Sequence, residues 1–212
     1  MSAVDGFLAP IITEILLTGL ARMKTEGRPA HLYLGSPWLS NFPLFPGVFA
    51  GSFPHLLPDI APSQVGCLAD VVNTWISLGG AVTVLVQNYG KGDWPKKNNP
   101  RSNQEELDLL ARCLEVGAEV LFGKSFHSKF IVCPNVVVSG SANITYSGYY
   151  RNSEHLHVFG EKANSSGYLS ERAACLNHVI SATNLGRCLA PNKLTGQLTA
   201  GDIGTMREFL GY

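Results

Sequence analysis

The chain is poor in charge. Sixteen Lys plus Arg balance sixteen Asp plus Glu, so charged residues make up 15% of the 212 and the formal net charge is zero. Such a chain has no global field to draw it onto nucleic acid or anionic lipid, and any polyanion has to be held by a local patch. It also lacks the run of about 18 uninterrupted apolar residues that a membrane span needs, so no membrane association is expected. Asp5 comes early, Glu14 interrupts the apolar run that follows, and no small-residue cleavage site succeeds a basic start, so no secretion signal is expected. The five cysteines (Cys67, Cys113, Cys133, Cys175, Cys188) are odd in number and contain no C-x-x-C pair. Most lie in apolar periodic runs and read as reduced, buried thiols of a cytoplasmic protein. No internal repeat and no domain-sized linker interrupts the chain. Residues 1–212 therefore read as one domain, large enough for a sizeable core.

What is present is a regular alternation of helix and strand patterns. Ile11 to Met23 has the spacing of an amphipathic helix, and Ala30 to Gly35 reads as a buried strand. A Pro/Gly/Phe-rich stretch to Pro62 is too apolar for a linker and is expected to pack as an ordered loop. Ser63 is placed to cap a helix closed by Gly79-Gly80, and Ala81 to Val86 reads as a second buried strand. After a polar loop, Asn103 is placed to cap a third helix that Gly117 ends. Glu119 to Phe122 follows as a strand, then a hairpin, a strand from Glu154 to Phe159, a long helix from about Tyr168 to Asn184, and a short one near Met206 to Leu210. The second half turns antiparallel. The expected fold class is α/β, a mixed β-sheet flanked by helices on both faces.

The hairpin carries the chemistry. In FHSKFIVCPNVVVSGSAN two short β-branched runs are separated by Pro134-Asn135, a two-residue turn. If the turn is tight, positions summing to 269 face each other, which sets Lys129 opposite Gly140 and Ser128 opposite Ser141. Side chains alternate along a strand, so His127 and Lys129 point the same way. One end of the hairpin then gathers an imidazole, an ammonium, the Ser141 hydroxyl and the Asn143 amide. That set can handle a phosphate and contains a nucleophile. Lys129 would be costly to bury unpaired, so an anionic ligand explains it better than packing does. Gly-Ser-x-Asn is also ordinary turn chemistry, and only the register raises Ser141 and Asn143 above it.

His127-Ser-Lys129, ten residues, Gly140-Ser-Ala-Asn143, ten residues, then Glu154 resembles the HKD signature of the phospholipase D superfamily. The resemblance implies a phospholipase D-like α/β/α sandwich and metal-independent phosphodiester chemistry with no cofactor. It makes His127 the nucleophile that forms a phosphohistidine, with Lys129, Ser141 and Asn143 holding anionic oxygens. Glu154 would accept the proton on the far nitrogen of a histidine and fix its tautomer. The family's aspartate, five residues after the lysine, is replaced here by Pro134. On a straight strand that position lies about 16 Å from Lys129, in the turn at the far end from His127, so its usual role is structural. A single motif supplies one histidine where two are wanted, one as nucleophile and one as general acid. Single-motif members of the family build the site across a homodimer, and a two-fold pair faces identical histidines.

Two further clusters compete for attention. His155 and His157 flank Leu156 on the face opposite Glu154. Nothing completes a ligand set with recognised metal spacing, so they read as structural or surface histidines. The loop from 88 to 101 carries Lys91, Lys96, Lys97 and Arg101 around Tyr89 and Trp94, with only Asp93 opposing them. It is either solvated surface or a patch for a nucleic-acid backbone and stacked bases, which Lys124 and Arg151 would extend. The leading expectation is a phosphodiesterase, a hydrolase of nuclease type acting on DNA or RNA as a homodimer. A lipid or other small phosphodiester is a second substrate class. A catalytically degenerate protein that binds nucleic acid or a partner, within a DNA-modification or defence assembly, is the reading from a different class.

Overall fold

The computed structural model describes residues 2–5, 8–44, 57, 59–88, 100–124, 126–184, 188–189 and 200–210. Among these residues eight strands form one mixed sheet: β1 (Ser2–Asp5), β2 (His31–Gly35), β3 (Ala81–Asn88), β4 (Glu119–Lys124), β5 (Phe130–Cys133), β6 (Val136–Gly140), β7 (His155–Gly160) and β8 (Cys188–Leu189). Their order across the sheet is β1-β7-β6-β5-β2-β3-β4-β8. β2, β3 and β4 run parallel, and every other pairing is antiparallel. The parallel strands are joined by helices and buried on both faces, which is why β3 reads as a nearly unbroken apolar run.

Two cores sandwich the sheet. On one face lie helices α1 (Ala9–Glu26), α2 (Leu68–Ser77), α3 (Pro100–Glu115) and α6 (Ala200–Leu210). They pack Leu16, Leu20, Trp75, Leu110 and Met206 against Val84, Val86, Ile131 and Leu156. The opposite face is covered by α5 (Ser165–Asn184), which sets Tyr168, Cys175 and Ala182 against Leu85, Phe130, Val132 and Val137. The apolar stretch after β2 packs as expected where it is described: Leu39, Phe42, Leu44, Leu57 and Ile60 are buried. Among the described residues, no helix is long and apolar enough to cross a membrane.

The hairpin register is the one its turn dictates. Phe130 pairs with Ser139, Ile131 with Val138, Val132 with Val137 and Cys133 with Val136, each pair summing to 269. Asn135 adopts φ of 63°, and proline cannot take a positive φ at the position before it. The turn therefore has proline first and a left-handed residue second, a pattern that suits a type II turn.

Two helix starts differ from expectation. Ser63 lies in a 3₁₀ turn, Pro62–Val65, and the α-helix begins only after Cys67, whose backbone N–H donates to Asp70 at 3.1 Å. α3 begins at Pro100, three residues before Asn103; proline suits the first turn because its missing N–H would have had no partner there. Three short elements had no expectation attached: β1, β8 and a five-residue helix α4 (Tyr146–Tyr150).

Candidate active site

β2 and β6 finish where β5 and β7 begin, because each of these neighbours is antiparallel to the next. The ends of four adjacent strands therefore collect at one end of the sheet. His127 and Lys129 lead into β5, Ser141 and Asn143 leave β6, and Glu154 immediately precedes β7. Ser36 stands at the exit of β2.

Lys129 Nζ donates to the His127 carbonyl at 2.9 Å and lies 3.2 Å from His127 Nε2. The imidazole is exposed while the lysine is half-buried. Partial burial lowers the Lys129 pKa from the ordinary lysine value, and the Glu154 carboxylate works against that fall. Ser141 Oγ donates to Glu154 Oε2 at 2.5 Å and accepts the His155 N–H at 3.2 Å. A hydroxyl has one proton, and here it goes to the carboxylate. The group that Ser141 serves in this geometry is Glu154, whose other oxygen accepts from Asn152 Nδ2 at 3.2 Å. Asn143 Oδ1 stands 3.4 Å from Ser36 Oγ.

The two glycines around this set are there for space. A Cβ on Gly140 would sit 2.2 Å from the His155 carbonyl oxygen, so only glycine lets β6 approach β7 closely enough for Ser141 to reach Glu154. A Cβ on Gly148 would sit 2.2 Å from the Asn143 carbonyl, and the Gly148 N–H donates to the Thr145 cap at 3.1 Å. α4 is thereby packed directly onto the backbone of Asn143.

Five candidates from the sequence (His127, Lys129, Ser141, Asn143 and Glu154) thus lie at the same strand ends. Lys91, Trp94, Lys96 and Lys97 lie outside the described residues. Arg101 falls in the first turn of α3, and its side chain is likewise outside them. Pro134 occupies the turn at the far end of the hairpin. His155 and His157, with rings 5.7 Å apart, face the α5 side, where they line a cavity of about 350 Å³ with Ser128 and His178. Among the described residues, no three His, Cys, Asp or Glu side chains are arranged to hold a metal ion.

Sequence reasoning missed Ser36. It is fully buried, donates to the Trp38 carbonyl at 2.6 Å and accepts the Ile144 N–H at 3.1 Å. The loop after β2 is held in this way to the loop after β6. No local pattern distinguishes such a serine from any other at a strand exit. Asn152 stands two residues before Glu154 in the motif stretch, but both lie ahead of β7, where strand alternation does not apply, so the sequence alone does not set its amide on that carboxylate.

No protein-family model matches the chain, and no curated protein matches it in sequence. Solved structures do match. The phospholipase D family member Nuc from Salmonella typhimurium superposes with a TM-score of 0.52 at 15% identity, covering 89% of this chain and 97% of that one. Phosphatidylserine synthase from Haemophilus influenzae Rd KW20 gives a TM-score of 0.52 at 12% identity, covering 98% of this chain and 44% of that one. The chain has the phospholipase D fold.

Proposed function

We propose that this chain is a metal-independent phosphodiesterase of nuclease type, with His127 as nucleophile, in a site completed by a second copy of the chain. The observation that carries the reading is the meeting of His127, Lys129 and the Ser141–Glu154 pair at the ends of three antiparallel strands. A His127 ring nitrogen attacks phosphorus, a P–N bond forms, and the P–O bond to the leaving group breaks. The leaving oxygen takes its proton from a general acid, in this reading the His127 of the second copy. That imidazole, now neutral, takes a proton from water; the hydroxide breaks the P–N bond and releases the phosphate ester. Lys129 stabilises charge on the phosphoryl oxygens, with the Asn143 amide, at the same strand ends, as a second donor. Ser141 and Asn152 hold Glu154, whose negative charge favours the protonated form of Lys129 against the effect of burial.

The donor set favours chemistry without a metal at His127, since an ammonium 3.2 Å from the imidazole repels a cation there. His127 is exposed at an open end of the sheet, accessible to its symmetry mate in a two-fold pair. Pro134 lies in the turn, away from the strand ends, so its presence does not favour the degenerate reading. The test is hydrolysis of DNA, RNA and a chromogenic phosphodiester in excess chelator. Turnover should persist in chelator, vanish in His127→Asn with fold retained, and leave an acid-labile phosphoryl adduct on quenching. Activity that needs a divalent ion, or survives His127→Asn, refutes the mechanism.

A further inference from the structure

Beside Asn143 the surface opens into a cavity of about 630 Å³, of a size that holds small organic ligands. Its lining draws on two segments far apart in sequence: Trp38 and Asn41 from the loop after β2, and Tyr146, Arg151 and Asn152 from α4 and its exit. Glu105 of α3 adds a carboxylate. Trp38 and Tyr146 are 38% and 39% exposed, two of the four large apolar side chains that stand out from the surface among the described residues. Single exposed aromatics are ordinary; two lining one cavity next to a phosphate-handling set are not.

The aromatics are also fixed in place. Tyr146 stacks on Tyr150 with ring centroids 4.7 Å apart and planes 7° from parallel, and Tyr150 Oη donates to the Pro43 carbonyl. The Arg151 guanidinium lies 5.1 Å from the Tyr146 ring centroid. The Tyr146 N–H donates to Ser40 Oγ at 3.0 Å, while the backbone of Trp38 is tied through Ser36 to Ile144. A stacking site works best when its rings are ordered before the ligand arrives, since little conformational freedom is then lost on binding.

Charge decides what fits. Among the described residues, one arginine and one carboxylate line the cavity, a balance that gives no net attraction for a second phosphate. It does offer the Trp38 ring, the Arg151 guanidinium plane that lies over Tyr146, three amides and a carboxylate, the groups that stack on a nucleobase and bond to its edge. Resting on the phosphodiesterase reading above, we infer that the cavity between Trp38 and Tyr146 is a nucleobase subsite, which takes the unpaired base of the nucleotide whose phosphate lies at Asn143. The substrate class is accordingly a single-stranded nucleic acid, because a base inside a duplex cannot present its face to these rings.

The test uses the full chain carrying His127→Asn, to stop turnover, titrated calorimetrically with hexathymidylate and with an abasic hexamer of the same charge. Hexathymidylate should bind at least about tenfold more tightly, the scale of a stacked base. Trp38→Ala and Tyr146→Ala should each lower affinity for hexathymidylate several-fold and leave the abasic hexamer unaffected. Trp38→Phe, which keeps a ring, should restore most of the preference, so a folding defect in the alanine variants cannot pass for the effect. Equal binding of both hexamers, or a preference that survives both alanine changes, overturns the subsite. A wild-type chain that cleaves phosphodiesters yet ignores the base loses the subsite and keeps the function. A chain that neither binds nor cleaves any of them loses both.

Discussion

Replacing Ser36 by alanine removes the oxygen that joins the loop after β2 to the loop after β6. The hydroxyl donates to the Trp38 carbonyl at 2.6 Å and accepts the Ile144 N–H at 3.1 Å, in a residue with no exposed surface. In the alanine variant the Ile144 amide stays buried without an acceptor, which costs about 1–3 kcal/mol. The Trp38 carbonyl, closer to the surface, finds water more easily and adds about 1 kcal/mol. The expected loss is about 2–4 kcal/mol, read as a lower urea midpoint at unchanged slope. Ser40 provides the internal comparison, because its hydroxyl accepts the Tyr146 N–H at 3.0 Å across the same two loops but near solvent. Water replaces that bond, so Ser40→Ala should cost about 1 kcal/mol or less. Asn143 lies against Ser36, so phosphodiester turnover should fall further in Ser36→Ala than in Ser40→Ala. Equal losses of stability in the two variants would refute the claim that burial sets the difference.

Three other outcomes are expected. Lys129 acts as a cation whose pKa burial has lowered, so kcat/KM should fall as pH rises through a limb below the ordinary lysine range. Lys129→Arg, which stays charged, should push whatever activity it keeps to higher pH, and an unmoved limb would assign it to another group. Gly140→Ala forces a methyl toward the His155 carbonyl and should destabilise the chain by about 1–3 kcal/mol by urea titration, with loss of turnover; a stable, active variant would contradict the close approach of β6 and β7. Burial pushes the Cys113 and Cys133 thiols up to about 12, so at pH 8 only about one molecule in ten thousand carries either thiolate. A thiol reagent should label half-buried Cys67 long before those two, and comparable rates would mean that the native core opens readily.

The parts that could be read from the sequence are those whose causes are local. Pro134-Asn135 allows one tight turn, and that turn sets every pair in the β5–β6 ladder, because a shift of one residue would turn Ile131 and Val138 out of the core. Period-two alternation then points His127 and Lys129 the same way. The layer order followed from apolar helix faces alternating with buried strands. Helix starts at Ser63 and Asn103 were misread because a capping residue is only a local preference, and Cys67 with Asp70, or Pro100, met the need elsewhere. β1 is four residues whose ladder partner is β7, 150 or more positions later. The partner of the Ser141 hydroxyl depends on how β6 lies beside β7, and the buried role of Ser36 depends on Ile144 across the sheet end. The aromatic cavity needs Trp38 and Tyr146 brought together by strand order alone. Turn chemistry and side-chain alternation act over a few residues and leave their mark in sequence. A contact between residues a hundred positions apart exists only once the whole chain has packed.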